Sequence, residues 1–289
     1  MASRRTILVL AAVLACWSAV AGQSTPPEQV LEVDGVKVHY SIEGKGEPVV
    51  LIHGFVVNRV VQWGLPGITQ ALAKDFQVVA LDNRGHGRSS KPHDPKKYGL
   101  EMVHDVARIL DQLRLPKAHV VGYSMGGLIT AKFAVTYPDR VLSATVGGVG
   151  WFKPGTPTKL DDIAQALEKD QSLEPLIVSL TPEGSPPPNK QQIQQLNTML
   201  LSLGNDPRAL AAVARGMRQL TVTEEEFKRC QTPLQFVVGT KDPLGVGLTE
   251  AKALRPDVKV VLIEGGNHMD TFQKPEFLKS VQEFIAAHR

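Results

Sequence analysis

The sequence predicts an α/β protein built on a doubly wound, mostly parallel sheet that is interrupted by a helical insertion. Three observations carry that expectation. Short, nearly continuous apolar runs ending in Gly, Asp or Ser recur along the chain, as strands covered on both faces require. Helix-period stretches separate several of them. Between Trp151 and Cys230 the alternation lapses into helical patterns with no clear strand.

Taken in order, "VLEVDGVKVHYSIEG" alternates apolar and polar residues around Asp34-Gly35, the pattern of a two-stranded hairpin. The strand runs follow as "PVVLIHG", "FQVVALD", "AHVVGYS", "LSATVGGVG", "LQFVVGTKD" and "VKVVLIEGG". Helical spacing marks Leu65, Ile68 and Leu72, then Leu100, Val103, Val106, Leu110 and Leu113. It returns at the end in Phe277, Val281, Phe284 and Ile285, behind Pro275 at a helix start. Strand, helix, strand repetition makes neighbouring strands parallel. The residues at their carboxyl ends then form the ligand crevice. The segment 151–230, with "KLDDIAQALEKD", the Pro-rich break "TPEGSPPPNK" and "ALAAVARGMRQL", reads as a helical cap over that crevice. The core is then formed by 22–150 and 231–289.

The first 21 residues pair Arg4 and Arg5 with an apolar run from Thr6 to Val20 and the small-x-small pattern Ala19-Val20-Ala21. They read as a signal peptide, placing the mature protein outside the cytoplasm, secreted or periplasmic. The run is short for a bilayer span and no stop-transfer cluster follows, so no stable membrane insertion is expected after cleavage. Cys16 offers the alternative of a lipid-attachment site, although Leu14 is untypical beside bacterial lipoprotein signals. Removing two arginines takes the formal net charge from +3 to +1 (3 − 2). A nearly neutral protein carries no cationic excess for nucleic acid or anionic membrane. Only Cys230 then remains, so no internal disulfide can form. A hydrophobic content of 43% with 21% charged residues is that of a globular chain with a sizeable core.

"GYSMGG", Gly122 to Gly127, stands between a strand run and the helix-like "LITAKFAV". A serine nucleophile in such a place must occupy a tight, strained turn so that its Oγ protrudes, and flanking glycines keep side chains off that turn. Ser124 could instead be a plain helix N-cap, but a cap requires neither the glycines nor distant partners. A serine hydroxyl needs a base to accept its proton. His268, in "EGGNHMD" after the last strand run, is the candidate. His86 lies in the polar loop "DNRGHGRSS", His104 on a helix and His119 at a strand entrance, where structural roles are expected. His53 ends a strand beside Gly54, in position to brace the neighbouring loop.

The base needs an acid to fix its tautomer. Asp242 ends the strand run before the histidine and gives the chain order Ser, Asp, His. Asp82 is the rival, but it precedes the serine and stands beside Arg84, which suggests a loop-fixing ion pair between them. Asp270 is two residues from His268 and would point elsewhere. An oxyanion formed at the serine needs donors, each worth about 3 kcal/mol of barrier. The backbone amides of Met125 and Phe55 are placed to serve. Phe55, Tyr123, Met125 and Trp151 are expected to line an apolar substrate pocket.

"LIHGF", "ALDNRGHGRSS", "VVGYSMGG", "VVGTKDPL" and "GGNH" occur in the order that resembles the α/β-hydrolase fold superfamily. They look most like its capped serine hydrolases, grouped with non-haem haloperoxidases, carboxylesterases and carbon–carbon bond hydrolases. The resemblance spans Val30 to the C-terminus and is weakest across the cap. It implies an eight-stranded sheet, a Ser-His-Asp triad, no metal and no cofactor. Epoxide hydrolases and haloalkane dehalogenases carry an aspartate where Ser124 stands. The loop "FVVNRVVQW" lacks the Gly-rich run of many lipases.

The expected activity is cleavage of a small carboxylic ester through an acyl-enzyme. Two other readings stay open: carbon–carbon cleavage of a diketone by the same triad, and a ligand-binding protein on a hydrolase scaffold with slow turnover. The partner in each case is a small molecule.

Overall fold

The computed structural model describes residues 28–182 and 184–289. The segment 1–21, expected from its sequence to be a signal peptide, and Cys16 lie outside the described residues. A hairpin opens the fold, β1 (Glu28–Val33) and β2 (Val36–Glu43), joined by Asp34 and Gly35 at φ 50° and 74°. Two consecutive left-handed residues twist the chain in the sense that the paired strands require. Then come β3 (Pro48–Ile52), a π-helical turn at Val60–Gly64, α1 (Ile68–Leu72), β4 (Gln77–Leu81), α2 (Leu100–Gln112), β5 (Ala118–Tyr123), α3 (Met125–Thr136) and β6 (Val141–Gly147). Five helices follow without a strand among the described residues: α4 (Leu160–Asp170), α5 (Glu174–Ser179), α6 (Lys190–Leu201), α7 (Pro207–Gly216) and α8 (Glu224–Arg229). The sheet resumes with β7 (Leu234–Gly239), α9 (Leu248–Leu254), β8 (Lys259–Ile263) and α10 (Pro275–Ala286).

The eight strands lie in the order β1-β2-β4-β3-β5-β6-β7-β8. β2 runs antiparallel to β1 and β4, and all other pairs are parallel. From β3 the chain winds outward to β4 on one side and then returns to place β5 on the other. The winding therefore reverses between β3 and β5, the place where an open α/β sheet leaves a crevice at its carboxyl edge.

Alternate residues of the central strands feed two separate cores. Val50, Ile52 and Val120 join Ile129 and Phe133 of α3 and Val103, Val106 and Leu110 of α2 on one face. Val49, Leu51, Val121 and Tyr123 join Phe277, Val281 and Ile285 of α10 and Leu72 of α1 on the other. β8 departs from the expectation of burial on both faces. It is the sheet's last strand, and Leu262 is 58% exposed.

In the helical segment, α7 is the anchor: Ala209 to Ala214 are all buried. Asp206 caps it by accepting from the amides of Arg208 and Ala209, with Pro207 at the first helical position. α6 and α8 each begin with a reciprocal box, Asn189 with Gln192 and Thr223 with Glu226.

Candidate functional site

Ser124 sits at φ 56° and ψ −120°, between the end of β5 and the first turn of α3. A side chain rarely holds that conformation unless its surroundings enforce it. Its own amide donates to the Gly147 carbonyl at 2.8 Å, and its carbonyl accepts from the Leu128 amide at 3.0 Å. The flanking glycines are steric necessities. A β-carbon at Gly122 would lie 2.0 Å from the Gly126 carbonyl oxygen, and one at Gly126 would lie 2.0 Å from that of Ile52.

Two other strand ends deliver the partners. The chain leaving β7 turns at once, and the Leu244 amide donates to Asp242 Oδ1 at 2.9 Å. The loop after β8 is tightened by Asp270, whose carboxylate accepts from the Asn267 amide and from Asn267 Nδ2 at 2.9 and 2.7 Å. His268 Nδ1 lies 3.0 and 2.9 Å from the two Asp242 oxygens, and its Nε2 lies 2.9 Å from Ser124 Oγ. A carboxylate can only accept, so Nδ1 carries the proton and Nε2 presents its lone pair to the hydroxyl. Asp242 and His268 are both buried, whereas Ser124 keeps partial access to solvent.

The histidines considered as rivals for the base are occupied elsewhere. His104 bonds Tyr137 Oη at 2.8 Å, and His119 bridges Ser143 and Glu47. His53 donates from Nδ1 to the Gly54 carbonyl at 2.7 Å and accepts at Nε2 from the Asn83 amide at 2.9 Å, bracing the loop after β3. Burial pushes its imidazole down to about 4 and that of His86 down to about 3. Both stay neutral while the protein is folded.

The loop braced by His53 passes beside the serine: a β-carbon on Gly54 would lie 3.2 Å from Ser124 Cβ. Phe55 follows on that loop, and Met125 opens α3. Their backbone amides thus belong to the two segments that flank Ser124.

Three expectations need correction. Tyr123 is buried in the face of the sheet that packs on α10, against Phe272 and Phe277. Its hydroxyl donates to the His268 carbonyl at 2.9 Å, so it supports the histidine loop and does not wall a pocket. Trp151 is also buried, stacked on Phe227 at 4.7 Å with Nε1 donating to the Val222 carbonyl. It lines a narrow apolar cavity with Leu128, Phe152 and Phe227, and neither Ser124 nor His268 lines that cavity. Asp82 does not pair with Arg84. It binds Arg59 through the guanidinium and through the amide, the latter at 3.0 Å, while Arg84 forms a two-pronged pair with Asp105 at 2.7 and 2.6 Å.

No group of three or more His, Cys, Asp or Glu residues is arranged to hold a metal among the described residues, and no helix among them is long and apolar enough to cross a membrane.

Comparison with known proteins places this arrangement in a family. Residues 47–174 match the family described as alpha/beta hydrolase fold. The chain is 31% identical over 257 residues to the dihydrolipoyllysine-residue acetyltransferase component of an acetoin cleaving system of Cupriavidus necator, a match covering 85% of this chain and 65% of that protein. It is 26% identical to a 2-(acetamidomethylene)succinate hydrolase of Mesorhizobium japonicum over 89% of this chain and 94% of the relative. The fold superposes on the enol-lactonase of Burkholderia xenovorans LB400 with a TM-score of 0.72 at 21% identity, over 89% of this chain and all of the other. The sheet order, the glycine-flanked elbow and these matches together make the chain a member of the α/β-hydrolase superfamily.

Proposed function

We propose that the protein is a serine hydrolase that cleaves a small carboxylic ester through an acyl-enzyme. The observation that carries this reading is the unbroken chain of hydrogen bonds from Ser124 Oγ through the His268 ring to Asp242. A hydroxyl, a neutral imidazole and a buried carboxylate in that order let the hydroxyl lose its proton as it attacks.

The steps follow from the atoms in place. Ser124 Oγ adds to the ester carbonyl as His268 Nε2 takes its proton. Asp242 stabilises the resulting imidazolium. The amides of Phe55 and Met125 receive the oxyanion, each contributing about 3 kcal/mol. The carbonyl reforms, the alcohol leaves with the proton from Nε2, and the acyl group remains on Ser124. Water then attacks the acyl carbonyl, giving its proton to Nε2, and Ser124 departs with that proton as the acid is released. Deep burial of Asp242 keeps solvent from competing for His268 Nδ1.

The hydrolase name of the Mesorhizobium japonicum relative supports a hydrolytic reaction, and the serine at the elbow supports an acyl-enzyme. The test is a Ser124→Ala protein assayed with short p-nitrophenyl esters beside wild type. Turnover should fall by about 10⁴-fold or more, and labelling by a fluorophosphonate probe should vanish. Equal turnover by the variant would falsify the assignment. A second part of the proposal is export directed by residues 1–21, to be checked by N-terminal sequencing of the mature protein.

A further inference from the structure

The chain reaches the serine through His53-Gly54-Phe55-Val56, and the residues on either side of Phe55 are anchored from opposite directions. Gly54 is held by the sheet domain: its carbonyl accepts from His53 Nδ1 at 2.7 Å and its amide donates to Gln62 Oε1 at 3.4 Å. Val56 is held by the helical segment: its carbonyl accepts from Asn205 Nδ2 at 2.7 Å. The same Nδ2 donates to the Leu200 carbonyl at 2.8 Å, and the Asn205 amide donates to the Leu201 carbonyl at 3.3 Å. Asn205 is therefore fixed in the turn between α6 and α7 while it reaches across to the loop.

Val56 is the residue in need of such an anchor. Its φ is +59°, in the left-handed region, where a β-branched side chain is a genuine outlier. A residue stays there only where its surroundings over-determine it. Rotation about the Val56 N–Cα bond would turn the peptide plane that joins it to Phe55. The Phe55 amide lies one residue away, so release of Val56 would be felt where the oxyanion has to be met.

The geometry points to Asn205 as a positioning residue: its hydrogen bond to the Val56 carbonyl keeps Val56 left-handed and so keeps the Phe55 amide aimed at the oxyanion. Acylation of Ser124 then depends on the helical segment being seated on the loop. The inference rests on the serine-hydrolase reading for its catalytic consequence, whereas the clamp itself is a property of the fold.

The test uses the whole chain with Asn205→Asp, which keeps the side chain's size and replaces the donor by an acceptor facing a carbonyl, and Asn205→Ala as a second variant. Hydrogen–deuterium exchange of the peptide spanning Phe55 to Asn58 reads the clamp directly and needs no turnover. Exchange there should accelerate about ten-fold in both variants, with the peptides of β5 and α3 unchanged. With a short p-nitrophenyl ester, kcat should fall by about ten-fold, with KM within about three-fold and the pH profile unmoved, because His268 and Asp242 are untouched. A glycine adopts positive φ freely, so in a Val56→Gly background the additional loss from Asn205→Ala should shrink to about three-fold or less. Unchanged exchange in the loop overturns the clamp. Faster exchange with unchanged kcat, or the same loss from Asn205→Ala in the wild-type and Val56→Gly backgrounds, overturns the positioning role. A wild-type protein that neither hydrolyses esters nor is labelled at Ser124 overturns the hydrolase reading and the catalytic half of this inference, leaving the exchange result to decide the clamp.

Discussion

The hydroxyl of Tyr123 donates to the main-chain carbonyl of His268 at 2.9 Å, so the residue just before the serine holds the loop that carries the histidine. The two rings also pack at 5.6 Å. Burial pushes the phenol well above its usual range, so the hydroxyl remains a donor at any working pH. Both ends of the serine–histidine contact are thereby tied to one dipeptide, Tyr123-Ser124.

Tyr123→Phe removes that donor while leaving the ring in place. The buried His268 carbonyl loses its partner, at a cost of about 1–3 kcal/mol in stability. A histidine free to shift costs turnover as well, and about ten-fold in kcat is expected, short of the ~100-fold that a 1 Å misplacement can cause. Steady-state kinetics on a p-nitrophenyl ester and a thermal melt check both. A variant with a lowered melting temperature and an unchanged kcat would show that the contact only stabilises the fold.

Asp242→Asn tests the carboxylate without changing its shape. The amide oxygen can still accept from the Leu244 amide. An NH₂ facing Nδ1, however, would favour the tautomer with the proton on Nε2, which cannot take one from Ser124. Turnover should fall by about 10⁴-fold with the fold retained. Circular dichroism together with kcat decides this, and a loss below about ten-fold would point to another acid.

What could be read from the sequence was what local pattern determines. Ser124 announces itself through Gly122 and Gly126, because the elbow's crowding is met within five residues. Asp242 and His268 follow from their places after strand runs, since a parallel sheet gathers its strand ends at one edge. Pairings set by three-dimensional proximity were not legible. Arg59 reaches Asp82 from 23 residues away, and Arg84 takes Asp105 on α2, although Arg84 is the nearer arginine to Asp82 in sequence. The side of the sheet on which Tyr123 lies depends on the pleat of β5, which a strand buried on both faces does not reveal by apolar–polar alternation. The exposure of β8 depends on its being last in the sheet, a fact of strand order alone.

Gly126→Ala should be far more damaging than Gly127→Ala, one residue on. The added methyl at 126 would lie 2.0 Å from the Ile52 carbonyl oxygen and 2.8 Å from that of His53, both main-chain atoms of the loop beside the serine. At 127 the nearest atoms are Val149 Cγ2 at 2.9 Å, a side-chain methyl that can turn aside, and the Gly147 carbonyl oxygen at 3.0 Å, a tight contact rather than the deep overlap met at 126. Overpacking against backbone is expected to cost about 3 kcal/mol or more, and against the valine about 1 kcal/mol. Urea unfolding of both variants reads the difference, and equal midpoints would mean that the Ile52–His53 backbone yields.

The two histidines of the serine-side loops make stability depend on pH. His53 is held at about 4 and His86 at about 3, in each case chiefly because burial disfavours the charged ring, against 6.5 when unfolded. Within the His86 ring, Nδ1 has the Arg84 carbonyl at 3.2 Å, while Nε2 has no hydrogen-bond partner among the described residues, so a second proton would find nothing to meet. As pH falls below 6.5 the unfolded chain takes up these protons and the folded one does not, so the contribution is present above that pH and is lost on acidification toward 4. From pH 7 to pH 5 each histidine titrates over 6.5 − 5 units in the unfolded state at about 1.4 kcal/mol per unit, a loss of about 2 kcal/mol apiece. Urea unfolding at the two pH values should show the drop, and His86→Gln, which cannot titrate, should remove about half of it. A His86→Gln curve with the wild-type slope would mean that His86 is protonated in the folded protein, and the burial argument for it would fail.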